Sequence, residues 1–280
     1  MKIQSAGRLG NILFIWAYAL NQSKISKGAR VEIFADKYHS PIDENLRVTF
    51  QTLSSDEVNF LIDNKIGLIL KIIDRISPSM PRLSNVLRNK TKIQTEYRDV
   101  MTNDAWIQRG YFQDPVHFRG IQNEVHERLR RIISELKNTS NLTTKFPFLR
   151  NEYQALHVRL SDFIGSDAGV IDLESQINCL NKDLRTVICT DGSKAEILSR
   201  TTRQDYEIIT PNESTAWETI AILSGAKVLV TSNSTLSWWS GFISAGNGNL
   251  VWIPKIWNNN RSTTMQLPFE NVLTYMPKFE

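Results

Sequence analysis

The feature that most constrains the fold is an alternation of short apolar runs with helical segments in the second half of the chain. The helical segments, Gly192–Arg200 and Thr215–Gly225, separate runs that are rich in β-branched residues. Such alternation predicts βαβ units and a parallel sheet. The predicted strands are Tyr153–Val158, Thr186–Thr190, Val228–Ser232 and Leu250–Ile253.

The first half opens with the same kind of unit. Met1–Gln4 is typical of a short strand, a glycine loop follows it, and an apolar helix is predicted from Asn11 onward. Val31–Ala35 is typical of the next strand, which completes a βαβ unit. Residues 41 to about 100 are predicted to be mostly helical.

The stretch Lys137–Lys145 is polar and poor in core-forming residues, so it is the predicted linker between two domains. The sequence therefore predicts an α/β protein of the GT-B-like kind. It would have two Rossmann-like domains, residues 1–145 and 146–280, that face each other across a cleft. Ligands of such sheets bind beyond the carboxyl ends of the strands.

Composition narrows the function classes. Apolar residues make up 41% of the 280 residues, and the net charge of +4 suits a pocket for an anionic ligand. The basic residues are not interleaved with aromatic ones, so a nucleic-acid binder is not expected. Two cysteines give no disulfide framework and no metal spacing. A signal-peptide core and a bilayer-length apolar run are both missing, so a cytoplasmic location is the expectation.

Three segments suit binding of an anion. Gly7–Asn11 combines two glycines with a helix start, although a plain turn with an asparagine cap is the alternative. Arg159 ends a predicted strand and suits a diphosphate, with Asp162 to orient it, although a buried structural pair is the alternative. Thr231–Trp239 offers hydroxyls at a helix start, where an ordinary cap cluster is the alternative.

Asp191 is a fourth candidate, because it stands at the carboxyl end of a predicted strand beside a loop glycine. A role as the N-cap of the next helix is equally compatible with that position. Trp238 and Trp239 are expected to pack their helix against the sheet, with stacking on a sugar as the alternative.

Together these segments resemble the α1,2-fucosyltransferase family of bacterial surface-glycan enzymes and its mammalian blood-group relatives. The family patterns G-x-L-G-N-x-x-F, G-Y-F-Q, H-V-R-R-G-D and S-N-S-T-F-S-W-W have counterparts here in the same order, and the last is the most specific match. The resemblance runs from residue 7 to residue 239. The counterparts are Gly7–Phe14, Gly110–Gln113, His157–Asp162 and Ser232–Trp239.

The resemblance implies an inverting glycosyltransferase that moves fucose from GDP-fucose to an acceptor oligosaccharide, with no metal and no other cofactor. The acceptor would be a galactose hydroxyl in a surface polysaccharide or a lipid-linked oligosaccharide. The second half would bind the donor and the first half the acceptor. The implied donor site comprises Arg8, Gly10, Asn11, His157, Arg159, Asp191, Glu218, Ser232, Asn233, Ser234 and Thr235.

The catalytic base is also implied by similarity. His157–Asp167 is similar to H-V-R-R-T-D-K-V-G-T-E of the core α1,6-fucosyltransferases, in which the terminal Glu is the base. Asp167 holds that position here, Asp162 is the second candidate, and a solvent-facing loop aspartate is the alternative. Arg159, Asp162 and Asp167 are thus the predicted catalytic residues.

Three departures from the family leave alternatives open, and one of them is Asp191-Gly192, which stands where relatives often carry Asp-Asp. Leu160 and Ser161 replace the usual Arg-Gly, so one cation is missing, and Arg8 is a candidate substitute. Thr219 replaces an aspartate that resembles the reader of the guanine edge. One threonine hydroxyl does not accept both N–H groups of guanine. The identity of the nucleobase therefore stays open unless Glu218 accepts them instead. A different nucleotide sugar and a non-catalytic glycan-binding relative are the rival hypotheses.

A basic helix is predicted at Val125–Leu136, with Arg128, Arg130 and Arg131 on it. An ordinary solvated face is the expected reading of that charge. Peripheral contact with an anionic inner membrane that holds lipid-linked acceptors is the alternative.

Overall fold

The computed structural model describes residues 1–39, 42–80, 93–95, 107–161, 163–166, 168–203, 205–257 and 265–280. These residues form two compact units, Met1–Gln122 and Asn123–Glu280. Each unit is built on its own parallel sheet with helices between the strands. The predicted α/β class with two Rossmann-like domains is therefore confirmed.

The first unit has a five-stranded sheet in the order β3-β2-β1-β5-β4, and every pairing in it is parallel. Its strands are β1 Lys2–Gln4, β2 Val31–Ala35, β3 Val58–Ile62, β4 Ile93–Thr95 and β5 Ile107–Arg109. Its helices are α1 Leu9–Ile25, α2 Glu44–Leu53 and α3 Asn64–Ile76, with a 3₁₀ helix at Pro115–Ile121. Helix α1 supplies much of the core, because nearly all its side chains up to Leu20 are buried.

The second unit contains six strands and most of the remaining helices. Its strands are β6 Gln154–Val158, β7 Thr186–Thr190, β8 Glu207–Ile209, β9 Val228–Val230, β10 Leu250–Pro254 and β11 Val272–Tyr275. Its helices are α4 Gln122–Thr139, α5 Leu142–Lys145, α6 Leu173–Ile177, α7 Lys194–Leu198, α8 Ala216–Ser224 and α9 Thr235–Gly246, with a 3₁₀ helix at Pro147–Arg150.

The strand order of the second sheet shows where sheets of this kind bind their ligands. The order β11-β10-β9-β6-β7-β8 is all parallel and places the first strand of the unit, β6, in the middle. Counted along the chain within this unit, the strands lie in the order 3-2-1-4-5-6. In this arrangement the chain reverses direction across the sheet between its first and fourth strands, and ligands bind at that switch point. Here the switch point lies between β6 and β9.

The four strands predicted in the second unit are confirmed as β6, β7, β9 and β10, and the region predicted as mostly helical contains two strands. Strands β3 and β4 lie within residues 41–100, beside helices α2 and α3. Strands β5, β8 and β11 were also missed. Runs of three to five residues offer too few positions for a period to emerge, and tertiary pairing decides their state.

The division between the units follows Gln122, ahead of the boundary predicted at residue 145. The predicted linker Lys137–Lys145 is instead the last turn of α4 followed by α5. Helix α4 packs within the second unit, where the His126 ring lies against Phe242 and its Nε2 is 3.3 Å from the carbonyl oxygen of Ile243. The stretch is polar because it is a solvated helix end.

Candidate functional site

The carboxyl edge at the switch point gathers three of the predicted segments. Strands β6, β7 and β9 are neighbours in the sheet, with Val158 opposite Thr190 and Leu156 opposite Val230. The loop after each strand therefore starts at the same edge. Arg159 follows β6, Asp191 follows β7, and the turn Thr231–Ser234 follows β9.

Arg159 is held by an aspartate from the neighbouring loop. Its Nη1 lies 2.9 Å from Oδ2 of Asp191, and both side chains are only 14% exposed. The guanidinium carbon lies 5.4 Å from the centre of the Phe163 ring. Asp191 thus orients Arg159. Asp162, which was predicted for that role, and Asp167 lie outside the described residues.

Asp191 also fixes the loop that carries Arg159. Its Oδ1 accepts the backbone N–H of Leu160 at 2.7 Å, and its Oδ2 accepts the hydroxyl of Ser161. Burial raises the pKa of Asp191, but these hydrogen bonds and the charge of Arg159 outweigh it and hold the pKa below the usual range. Asp191 is therefore ionised at neutral pH. It does not cap the next helix, because the N-cap of α7 is Ser193.

His157 lies beneath the same edge as a neutral side chain. It is 3% exposed, and its Nδ1 lies 3.3 Å from the hydroxyl oxygen of Ser232. Burial and the charge of Arg159 lower the pKa of His157 to about 4, against a smaller opposing effect of Asp191. His157 therefore couples β6 to the turn after β9 and contributes no charge to the site at neutral pH.

We expect the burial of His157 to make stability depend on pH. The folded pKa lies below the unfolded value, so the unfolded chain binds the proton more tightly. The contribution is present in full above about pH 6.5 and is lost as the pH falls toward 4, by on the order of 3 kcal/mol. Urea unfolding across that window should show the loss, and His157→Gln should flatten it. Equal pH slopes in both proteins would contradict this account.

The N-cap residue of helix α9 does not cap the helix with its side-chain hydroxyl. Its N-cap Ser234 is extended, with φ −111° and ψ 140°, and its side chain makes no capping hydrogen bond. The turn is braced from within instead, because the backbone N–H of Ser232 donates to the hydroxyl of Ser237 at 2.8 Å. By contrast, five other α-helices in the described part of the chain are each capped by a side chain. Those caps are Asp43, Asp63, Asp172, Ser193 and Thr215.

An open helix start beside an arginine suits a phosphate group. The first N–H groups of a helix lack intrahelical acceptors, and the helix dipole favours negative charge there. Ser234 and Thr235 stand at this start, and Arg159 follows the neighbouring strand β6. The structure therefore brings the predicted phosphate-binding residues to one edge of one sheet.

Asn233 binds the chain itself. It is 3% exposed, and its Nδ2 donates to the carbonyl oxygens of Ala168 and Gly169 at 3.0 and 3.1 Å. The turn after β9 is thereby tied to the residues that directly follow Asp167. Trp238 and Trp239 are buried, so the prediction that they pack the helix is confirmed.

Glu218 and Thr219 are engaged at the start of α8. The Glu218 carboxylate accepts the backbone N–H of Thr215 at 2.8 Å, and its oxygens lie 3.0 and 3.1 Å from Nζ of Lys145. The Thr219 hydroxyl donates to the carbonyl oxygen of Thr215 at 2.9 Å and lies 3.0 Å from the hydroxyl of Ser214. Both side chains stabilise the start of the helix. A hydrogen bond from either side chain to a nucleobase would compete with these contacts.

A cavity of about 640 Å³ opens beside the Arg159–Asp191 pair. One part of its wall is Glu213. The Glu213 carboxylate accepts the backbone N–H and the hydroxyl of Thr210 at 3.1 and 2.9 Å and the ammonium group of Lys194 at 2.7 Å. The volume lies in the range of small-molecule sites. Sequence reasoning missed this wall because it missed β8. The lining residues are Ser161, Asp191, Gly192, Ser193, Lys194, Glu196, Thr210, Pro211, Asn212 and Glu213.

The glycine loop of the first unit meets the G-Y-F-Q segment. Gly7 has φ +77°, and a Cβ there would overlap the side chain of Asn11. Asn11 Oδ1 accepts the side-chain N–H of Gln113 at 3.0 Å. Helix α1 begins at Leu9, two residues earlier than predicted, so its N-cap is the exposed Arg8 rather than Asn11. Gly10 is buried in the first turn.

A polar network at the carboxyl edge of the first sheet was not predicted. Arg109 binds both carboxylate oxygens of Asp74 at 2.8 and 2.9 Å and donates to Gln4 at 2.7 Å. His39 lies between Asp36 and Asp74, with ring nitrogens 2.8 and 3.3 Å from their oxygens. Apart from Asp36 and His39, which are three residues apart, these residues are distant in sequence and carry no motif, so only the fold brings them together.

The sequence matches no protein-family model and no curated protein. Several solved structures resemble the fold. The glycosyl transferase family 9 protein from Veillonella parvula DSM 2008 is 10% identical with a TM-score of 0.48, over 100% of this chain and 88% of that one. The fucosyltransferase NodZ from Bradyrhizobium is 13% identical with a TM-score of 0.48, over 87% and 92%.

The UDP-GlcNAc 2-epimerase from Neisseria meningitidis is 12% identical with a TM-score of 0.47, over 93% of this chain and 84% of that one. The chain is thus about equally similar in structure to transferases and to an epimerase. These similarities identify neither a reaction nor a substrate for this chain.

Proposed function

We propose that the protein is a glycosyltransferase that binds a nucleotide sugar at the carboxyl edge between β6 and β9. The observation that carries the proposal is the placement of Arg159 and the uncapped start of α9 at the switch point of a Rossmann-like sheet. A cation and the first N–H groups of a helix at that edge suit a diphosphate. The family resemblance supports GDP-fucose as the donor and a galactose hydroxyl as the acceptor, with inversion and α1,2 linkage.

The chemistry assigned to the site is cleavage of the bond between the sugar and the diphosphate. Negative charge grows on the departing diphosphate. Hydrogen-bond donors that are already positioned around it therefore make the main catalytic contribution. Arg159 supplies the cation, and Asp191 holds its guanidinium in place at 2.9 Å. Ser234 and Thr235 supply hydroxyls, and the first turn of α9 supplies N–H groups.

The acceptor hydroxyl must lose its proton as the new bond forms. We assign Asp167 as the general base that accepts this proton, with Asp162 as the second choice. The assignment is based on the similarity to the core α1,6-fucosyltransferases. Asn233 holds the carbonyl oxygens of Ala168 and Gly169, so it positions the chain beside Asp167. The first unit would then bind the acceptor.

The cavity beside Asp191 offers room for the nucleoside part of the donor. Its volume of about 640 Å³ and its place along the edges of β7 and β8 support this assignment. Glu218 is 7% exposed and already holds Thr215 and Lys145, which disfavours it as the reader of a base.

We expect Thr219→Asp to tighten GDP binding if the base lies against the start of α8. A carboxylate accepts both N–H groups of the guanine edge, which adds about 1.5–3 kcal/mol, or roughly 10- to 150-fold in Kd. If Glu218 reads the base instead, Glu218→Ala should weaken GDP, and Glu218→Gln serves as the variant that keeps its volume. Calorimetry with GDP and UDP measures both. An unchanged GDP-to-UDP preference in every variant would remove this segment from base recognition.

Activity should survive treatment with EDTA. Among the described residues, no group of three or more His, Cys, Asp or Glu side chains is placed to hold a metal ion. Arg159 and the start of α9 would take the role that a metal ion plays in other transferases. Turnover that EDTA abolishes and that only Mn²⁺ or Mg²⁺ restores would overturn this donor site.

The proposal is tested by a thermal-shift panel of GDP, UDP, ADP and CMP. A ligand that binds the folded state raises the melting temperature by mass action. We expect GDP to give the largest rise. A larger rise with another nucleotide would be consistent with a glycosyltransferase that uses a donor other than a GDP-sugar. No rise with any nucleotide, together with binding of a glycan, would favour the non-catalytic relative.

A further inference from the structure

The outer face of α3 carries apolar side chains that no described residue covers. Leu68, Ile69 and Ile72 are 45%, 46% and 51% exposed. The opposite face of the same helix buries Leu70 and Ile73 in a cluster with Phe34 and Ile107. Helix α3 is therefore apolar on two sides, and only one of them contacts the rest of the described unit.

The exposed charged residues of helix α3 are all basic. Lys65, Lys71 and Arg75 are exposed. Both acids of the segment are engaged elsewhere, since Asp63 caps the helix and lies 3.2 Å from Lys2, and Asp74 holds Arg109. No ion pair with a described residue neutralises the three cations, and Lys71 only approaches the ring of Tyr38 at 4.8 Å.

We propose that the outer face of α3 docks on an anionic membrane surface. The apolar side chains would enter the headgroup region, and Lys65, Lys71 and Arg75 would meet the lipid phosphates. An apolar stripe flanked by basic residues is the signature of a helix that lies in a membrane interface. Among the described residues no helix is long and apolar enough to cross a membrane.

Charge favours a lipid surface over a second copy of the chain. A two-fold contact would set the same face against itself and bring like charges together. An anionic surface instead offers opposite charge to each cation.

Helix α4, the earlier candidate for membrane contact, lacks both features. Its Arg128 binds Glu124 at 2.7 Å and its Arg130 binds Glu127 at 2.9 Å, so its charge is partly balanced within the helix. None of the described residues with a large exposed apolar side chain lies on it. Helix α4 therefore provides the matched control for α3.

Co-sedimentation with vesicles tests the proposal. We expect the protein to bind vesicles of phosphatidylcholine mixed with phosphatidylglycerol and to leave phosphatidylcholine alone in solution. Lys65→Gln with Arg75→Gln should lower the partition coefficient by about 25-fold, since each basic residue contributes about 5-fold. Leu68→Gln with Ile72→Gln should lower it about 10-fold. Arg128→Gln with Arg131→Gln, on α4, should change it less than about 2-fold.

Three results would overturn the docking face. The first is no binding of the wild type to the anionic vesicles at low salt. The second is an equal loss of binding in the α4 pair. The third is a wild-type dimer that the Leu68 and Ile72 substitutions convert to monomer, which would assign the face to a second copy. The docking does not rest on the donor site, so the α3 variants should bind GDP as the wild type does and should melt at the same temperature.

Discussion

Replacing Arg159 with alanine should lower turnover by about 10²–10³, the scale of one donor to a developing negative charge. The guanidinium is only 14% exposed and is aimed by Asp191 from the neighbouring loop. The substitution removes the cation that we place against the departing diphosphate, beside the start of α9. Arg159→Lys should recover part of the loss, since it restores the charge without the two-pronged geometry.

The control for this substitution is Arg185→Ala. Arg185 lies in the same unit, pairs with Glu207 at 2.8 Å and is 54% exposed, so its loss should leave turnover within about 2-fold. Steady-state rates and a melting curve for each variant separate a catalytic loss from unfolding. A correctly folded Arg159→Ala protein within about five-fold of the wild type would end the assignment of Arg159 to the diphosphate.

Asp167→Asn should lower turnover by about 10²–10⁴ while the affinity for GDP stays unchanged. The amide keeps the size of the side chain and removes its ability to take a proton. Asn233 ties the carbonyl oxygens of Ala168 and Gly169 to the turn after β9, so the backbone next to Asp167 is anchored beside the proposed phosphate site.

Asp162→Asn and Asp183→Asn are the comparisons for the base. Asp162 is the second candidate, and Asp183 is an exposed loop residue that should have no effect. A loss with Asp162→Asn alone would move the base to that residue. If neither substitution slows the reaction, neither carboxylate takes the proton.

The sequence predicted β6, β7, β9 and β10 of the second unit because these strands are strongly apolar and helical segments separate them, whereas β8 and β11 were missed. The segments around Arg159 and Ser232 were located correctly, since a motif that follows a strand must lie at the edge of its sheet. The partner of Arg159 was assigned to Asp162, three residues away, whereas the described contact is with Asp191. Sequence proximity suggested the pair, and only the neighbouring positions of β6 and β7 bring Asp191 into contact.

Other features depend on contacts that no local pattern encodes. The sequence allowed Ser234 to be an ordinary N-cap, and the structure leaves its side chain without that bond. Glu218 was a candidate reader of the base, and the structure engages it with Thr215 and Lys145. Asp74 and Arg109 are 35 residues apart and pair only because the first sheet brings their elements together.

Hydrogen–deuterium exchange with and without GDP tests the central claim most directly. If a nucleoside diphosphate binds at the switch point of the second sheet, GDP should slow amide exchange in two segments, 159–161 and 231–237. Arg159→Ala should reduce that protection at the same GDP concentration. Bound GDP that leaves both segments unprotected, or protects only segments of the first unit, would contradict the proposed donor site.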